Sequence, residues 1–195
     1  MNRGFKFYAL LIVGLFLSLG TNGQSVAVKT NLLYDATATI NAGVEVGLAK
    51  RWTLDFSGNY NNWEMSNNRQ WKHWLVQPEA RYWFCNKFIG HFLGIHAHGG
   101  QYNISNLDNG MKFLGTDFSK LSHNRYQGWF VGAGIAYGYS WVLSKHWNLE
   151  FELGIGYAYA RYECYPCAVC GEMLDSGYHH YVGPTKAAIN LIYAF

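Results

Sequence analysis

The sequence is poor in charge and in long apolar runs, and each shortage argues against a class of protein. Asp, Glu, Lys and Arg make up only 14% of its 195 residues, against about 25% in soluble domains. After the apolar run over residues 7–19, no stretch reaches the ~20 residues of a membrane-spanning helix. The formal net charge of +3 gives no reason to expect a nucleic-acid partner.

Aromatic residues and glycine are abundant instead. Phe, Trp and Tyr make up 18% of the chain, which has 22 glycines and only 3 prolines. An aromatic, glycine-rich and charge-poor chain without a spanning helix is typical of a membrane β-barrel, because such a protein crosses the bilayer with strands.

The N-terminal residues are typical of an export signal. Arg3 and Lys6 precede the apolar run, and small or polar residues follow it up to Gly23. We expect a signal peptide over residues 1–23, cleaved before Gln24, and one barrel domain over residues 24–195. An uncleaved N-terminal anchor is the alternative. No cysteine lies near the cleavage point, so a lipid-anchored protein is not expected.

Period-two alternation indicates strands, because successive side chains of a strand point to opposite faces. Leu149, Phe151 and Leu153, for example, alternate with Glu150 and Glu152. The pattern predicts an all-β fold, an eight-stranded antiparallel up-and-down transmembrane barrel. The predicted strands are 26–35, 40–49, 52–62, 72–84, 89–103, 126–142, 147–162 and 182–195. In the fifth strand, His91 falls on the apolar face and Phe92 on the polar face, which allows a bulge there.

Short and long connections alternate along the predicted strands. Turns at 49–51, 85–87 and 144–146 are tight. Between them lie a short loop near 36–39 and longer ones near 63–71, 105–124 and 163–181. Outer-membrane barrels keep short turns in the periplasm and long loops outside. The chain is therefore expected in the bacterial outer membrane, in contact with its lipid, with the long loops extracellular.

The two strand faces differ in charge. On seven of the eight strands the apolar face has no Asp, Glu, Lys or Arg, whereas the other face has charges of both signs, Asp55 included. A soluble, lipocalin-like barrel, the structural rival, would have its charges outside. Eight strands leave room only for side chains, so we predict a charge network that fills the lumen rather than a broad pore. Its predicted members are Lys29, Glu45, Glu79, Arg81, Glu150, Glu152 and Lys186.

The last strand ends on aromatic residues. Residues 185–195 alternate and end with Tyr193 and Phe195. This segment resembles the C-terminal insertion signal of bacterial outer-membrane proteins. The resemblance implies delivery to the barrel-assembly machinery.

Five segments of the mature chain carry a resemblance to a known family, residues 28–35, 41–45, 77–83, 162–171 and 183–186. Through them the whole mature chain resembles a family of small outer-membrane β-barrel proteins of unknown function from Bacteroidota-type bacteria (the domain of unknown function 3575 family). It implies an outer-membrane location, often in a fimbrial or surface-assembly gene setting. It supplies no catalytic residues.

Three cysteines lie in the last long loop. Cys164, Cys167 and Cys170 are spaced Cys-x2-Cys-x2-Cys, and His179 follows. Thiolates and imidazoles at such spacings can bind zinc. A local disulfide or free thiols is the alternative in an exported protein, and redox reactivity or lipidation is a third. Apart from this zinc, no cofactor is predicted.

His96 and His98 share the lumen face of the fifth strand. Such a pair can chelate a metal or act in acid–base chemistry. The alternative is a structural role, in which both rings fill the lumen beside carboxylates.

We therefore predict a non-enzymatic outer-membrane barrel that presents its loops for surface or fimbrial assembly, adhesion or envelope integrity, with fimbrial or other surface proteins as partners. Two alternatives stay open. One is a lipid-modifying enzyme that uses the histidines, and the other is a metal-binding surface protein that uses the cysteine loop.

Overall fold

A computed structural model describes residues 26–65, 69–105, 112–113, 116–117, 124–166 and 171–195. The predicted signal segment 1–23 lies outside the described residues. Eight antiparallel strands form a closed barrel in which consecutive barrel strands pair and the last pairs with the first. The predicted all-β, eight-stranded up-and-down architecture is confirmed. The strands are β1 (Val26–Asn31), β2 (Ile40–Gly47), β3 (Trp52–Met65), β4 (Arg69–Trp83), β5 (Gly90–Ser105), a short pair β6 (Lys112–Phe113) and β7 (Thr116–Asp117), β8 (Arg125–Val142), β9 (Trp147–Tyr165) and β10 (Asp175–Ala194), and helix α1 is Leu32–Ala36.

The first strand ends earlier than predicted, because Asn31 begins a helical turn. Its side chain accepts a hydrogen bond from the Leu33 backbone N–H at 3.1 Å and caps α1. The Thr30 hydroxyl and the Asn41 amide donate to Asp35 at 2.8 and 2.7 Å, which ties the turn to β1 and β2. The predicted strand 26–35 is therefore wrong beyond residue 31.

The last strand starts at Asp175 rather than at residue 182. Residues 175–181 pair with 158–164 of β9, so this hairpin is longer at the long-loop end than predicted. The register shifts between Pro184 and Lys186, which leaves Thr185 as an extra residue in the strand. The bulge considered at His91 and Phe92 is wrong, since β5 pairs with β8 through both residues without a shift.

Alternation along the strands separates an apolar exterior from a polar interior. Ile95 and Ile155 on the outer face are 70% and 61% exposed, whereas Glu45 and Arg81 inside are fully buried. This is the reverse of a soluble barrel, which has its apolar side chains inside. In the described part of the chain, no helix is long and apolar enough to cross a membrane.

Candidate functional site

Arg81 lies at the centre of the lumen, and its guanidinium donates hydrogen bonds to four carboxylates. Nε donates to Glu79 at 2.7 Å, and Nη2 donates to Glu152 at 2.7 Å. Nη1 donates to Glu45 at 2.8 Å and to Glu150 at 3.1 Å. All five side chains have 0% exposure. A buried charge is tolerated only when it is paired and hydrogen-bonded, and this cluster meets both conditions.

Two lysines flank the arginine. Lys29 Nζ lies 2.8 Å from Glu45 and 3.0 Å from Asp55, and Lys186 Nζ lies 2.6 Å from Glu79 and 3.1 Å from Glu152. Both side chains are at most 5% exposed. The cluster of three cations and five carboxylates is called the lumen network below.

The structure brings all seven predicted lumen residues together, but the predicted set lacked Asp55. Its place in the network follows from the strand register, in which Asp55 lies between Glu45 on β2 and Glu79 on β4. The Thr53 hydroxyl, one inward position along β3, also donates to Glu45. Alternation put Asp55 on the polar face, and only the register shows which charges it meets.

An apolar floor closes the lumen at the short-turn end. The rings of Trp83 and Phe92 lie 4.7 Å apart, and those of Trp83 and Phe88 lie 6.2 Å apart. Phe88 has a positive φ of 67°, which is uncommon for a residue with a side chain. Its carbonyl accepts a hydrogen bond from Asn148 Nδ2 at 2.8 Å. This turn therefore folds its ring into the barrel beneath the lumen network.

The last-strand bulge brings a hydroxyl to the histidine pair. Thr185 Oγ1 lies 2.9 Å from His96 Nε2, and Gln77 Nε2 donates to the Thr185 carbonyl at 3.1 Å. On the other side of the ring, Glu79 Oε2 lies 3.8 Å from His96 Nδ1. His98 lies beside His96, with ring centroids 5.6 Å apart. Sequence reasoning missed Thr185, because its inward position depends on the bulge.

The predicted cysteine site is only partly described. Cys167 and Cys170 lie outside the described residues, whereas Cys164 is buried and forms no disulfide within the described part of the chain. Cys164 pairs with Asp175 in the β9–β10 ladder, but exposed His179 pairs with Ala160. Four residues of strand, roughly 13 Å, separate the two positions, whereas ligands of one zinc ion lie within about 2.3 Å of it. Among the described residues, no group of three His, Cys, Asp or Glu side chains is arranged to hold a metal.

The two residues of the predicted insertion signal lie at the short-turn end. Tyr193 contacts Trp147 and Phe195, with ring centroids 5.1 and 5.0 Å apart. Phe195 N–H donates to the Val26 carbonyl at 2.9 Å, and its side chain is 63% exposed. The terminal residue thus joins the last strand to the first.

On the outer wall, ladder rows change from apolar to polar towards the long-loop end. One row aligns Tyr60, Trp74, Gln101, Trp129 and Arg161 across five strands. We call it the tryptophan row. The next outward row, called the polar row, is Asn62, Lys72, Asn103, Gln127 and Glu163. Trp and Tyr concentrate where a membrane meets water, so this change is the pattern expected at such a boundary.

Two cavities adjoin the tryptophan row. A polar cavity of about 530 Å³ lies between the ends of β3, β4, β5, β8 and β9. An apolar groove of about 470 Å³ lies on the wall formed by β4, β5 and β8. Trp74, Gln101 and Trp129 line both.

Together, the fold and the filled lumen define a small closed antiparallel β-barrel with an apolar exterior and a charged interior. The chain belongs to the family described as "Protein of unknown function (DUF3575)", whose profile matches residues 8–195. The family predicted from sequence is therefore confirmed. No curated protein matches the chain.

Proposed function

We propose that this chain is an outer-membrane β-barrel that neither conducts nor catalyses, and that it presents its long-loop end for surface assembly, adhesion or envelope support. The observation that carries the proposal is the inverted distribution of polarity. Large apolar side chains cover the outer wall, and the lumen network is buried within it. A lipid environment favours this distribution, because an apolar exterior is stable against lipid whereas a charge exposed to lipid is energetically costly.

The filled lumen supports a structural role rather than transport. Arg81 and its carboxylates occupy the middle of the barrel, and Trp83, Phe88 and Phe92 occupy the floor. Solute movement would require breaking several buried ion pairs, each of which is costly to separate. The protein should therefore give no ion current in a planar bilayer.

The shape of the long-loop end supports a role in which this end is presented to surface proteins. β9 and β10 continue beyond the tryptophan row, and the polar row projects past it. The proposed partners are fimbrial or other surface proteins at this end. Membrane lipid would surround the wall, and the barrel-assembly machinery would recognise the terminal strand.

Location is tested by cell fractionation, with gel mobility measured before and after boiling. A folded membrane barrel should appear in the outer-membrane fraction and shift on boiling. Recovery in the soluble periplasmic fraction without a shift would refute the proposal.

The surface role is tested by deleting the gene and, in a separate strain, by mild cross-linking of the tagged protein. Loss of fimbriae or envelope integrity supports it, and intact fimbriae and envelope contradict it.

A lipid-modifying activity is the second candidate, because Thr185 gives His96 a hydroxyl partner at 2.9 Å with Glu79 beyond the ring. A base of this kind must lie within hydrogen-bond reach of the group it activates. Thr185→Val removes the hydroxyl at similar volume. If the activity exists, lipid A masses should change equally in the deletion strain and in the Thr185→Val strain. Unchanged masses in both would exclude it.

A further inference from the structure

The outer wall of β4, β5 and β8 has a depression directly below the tryptophan row. Gly99 and Ala97 occupy two successive outward positions of β5. Gly99 lies between Val76 on β4 and Val131 on β8, Ala97 lies opposite Ala133 on β8, and Pro78 of β4 lines the same depression. Small side chains flanked by larger ones leave the apolar groove of about 470 Å³.

Two features form the groove, namely small side chains on its base and a gap in the strand pairing beneath it. A Cβ on Gly99 would meet its nearest atom, the Phe130 carbonyl oxygen, at an ordinary 3.6 Å. The backbone therefore tolerates a side chain here, and the space is open. The β4–β5 register has pairs at Val76 and Glu79 but none at Gln77 and Pro78, where proline has no N–H to donate.

The polar cavity continues from the groove. Three residues of the tryptophan row line both, and Trp74 Nε1 donates to Gln101 Oε1 at 3.2 Å at the junction. Two cations, Lys72 and Arg161, line the cavity beside one carboxylate, Glu163. Asn103 and Gln127 add amide donors and acceptors. Lys72 pairs with Glu64, and Arg161 lies 4.0 Å from Glu163, yet their side chains keep 28% and 48% exposure. Apolar space thus leads directly to a polar region with two accessible cations.

We propose that this wall binds one phosphorylated glycolipid of the outer leaflet, a proposal that rests on the proposed membrane location. An acyl chain lies in the groove, between Trp74 and Val131. The phosphate lies near Arg161, because a guanidinium matches phosphate geometry. Sugar rings lie against the tryptophan row, and their hydroxyls bond to Asn103 and Gln127. A cavity of about 530 Å³ is of the size that binds small polar ligands.

Native mass spectrometry of the folded barrel in detergent tests this directly. The probes are lipid A with two phosphates, dioleoylphosphatidylglycerol and dioleoylphosphatidylcholine, each titrated separately. Lipid A should form a one-to-one complex at least about tenfold tighter than either phospholipid. Equal or tighter binding of phosphatidylglycerol would overturn the assignment to a glycolipid, and equal binding of all three would overturn the site.

Matched variants test the position. Ala97→Leu fills the groove and should weaken lipid A binding at least about tenfold. Ala187→Leu makes the same change on the exposed outer face of β10, away from the groove, and should leave binding unchanged. Gly99→Val is the second filling variant. If both filling variants shift on boiling as the wild type does and still bind fully, the groove does not hold the acyl chain.

Charge is tested in the same way. Arg161→Gln should weaken lipid A binding about tenfold, the equivalent of one charge-assisted hydrogen bond. Arg51→Gln, exposed at the short-turn end, is the control and should bind like the wild type. An equal loss in both variants would show nonspecific attraction and refute the phosphate site.

Failure of this inference can be told from failure of the membrane proposal. An outer-membrane barrel that binds lipid A no better than its filled variants retains the proposed location and lacks the site. A chain recovered in the soluble periplasmic fraction lacks both.

Discussion

Ion pairs occur at two levels of this barrel, and their surroundings differ. In the lumen network, Arg81 donates hydrogen bonds to four carboxylates, and no side chain of the network is more than 5% exposed. At the long-loop end, Lys72 and Glu64 are paired with exposures of 28% and 65%, and Arg161 lies 4.0 Å from Glu163 with exposures of 48% and 31%. The same kinds of side chain are therefore buried from water in the lumen network and exposed to water at the long-loop end.

The difference in hydration sets what each pair contributes. Breaking a buried pair leaves an unpaired charge without water, which costs about 3–5 kcal/mol. An exposed pair contributes about 0–1 kcal/mol, because water and salt replace the lost partner. We conclude that losing one charge destabilises the fold far more in the lumen network than at the long-loop end.

The largest effect is expected from Arg81→Met. Its carboxylate partners would lose their shared cation, so the free energy of unfolding should fall by about 3–5 kcal/mol. The change is measured by unfolding the protein with urea in detergent micelles, with the boiling-dependent gel shift as the readout of the folded fraction. Arg51→Met, exposed on a short turn, should unfold like the wild type.

Charge and volume at this position can be separated. Combining Arg81→Met with Glu150→Gln and Glu152→Gln removes two of the unpaired charges and should recover part of the lost stability. A triple variant less stable than Arg81→Met alone would show that packing, and not charge balance, sets the cost.

A middle effect is expected at the apolar floor. Asn148→Ala leaves the Phe88 carbonyl without its 2.8 Å donor, and an unsatisfied buried carbonyl costs about 1–3 kcal/mol. The same unfolding experiment measures it. Asn86→Ala, on the exposed part of the same turn, is the control. Equal behaviour of the two variants would mean that the turn is not held by this bond.

The smallest effect is expected for the exposed pair. Lys72→Gln should lower the free energy of unfolding by no more than about 1 kcal/mol. A double-mutant cycle with Glu64→Gln gives the coupling energy of the pair, which should shrink further at 1 M salt. A coupling that is large and independent of salt would remove the contrast with the lumen network.

Alternation could be predicted from sequence because it needs only the order of residues along one strand. It separated Glu150 and Glu152 from Phe151 and Leu153, and the structure has them on opposite faces. The start of β10 could not be found in this way. Residues 175–181 (Asp-Ser-Gly-Tyr-His-His-Tyr) show no alternation of apolar and polar side chains, and they form a strand because β9 supplies the partner.

The site depended on register, which the sequence of one strand does not contain. Thr185 reaches His96 only because the shift after Pro184 adds a residue to β10. Likewise, the groove needs Gly99 and Ala97 to lie beside Val76 and Val131 on other strands. Which charges meet in the lumen follows from the same alignment between strands.

The central claim is that the chain is a membrane barrel with its short turns on the periplasmic side. Labelling of single cysteines in intact cells tests this claim most directly. One variant keeps Cys85, exposed on a short turn, and has alanine at Cys164, Cys167 and Cys170. The other also has Cys85→Ala and carries Glu172→Cys at the exposed long-loop end. A membrane-impermeant maleimide should label the Glu172→Cys variant in intact cells and should label Cys85 only after the outer membrane is permeabilised. Labelling of Cys85 in intact cells without labelling of the Glu172→Cys variant would contradict the account.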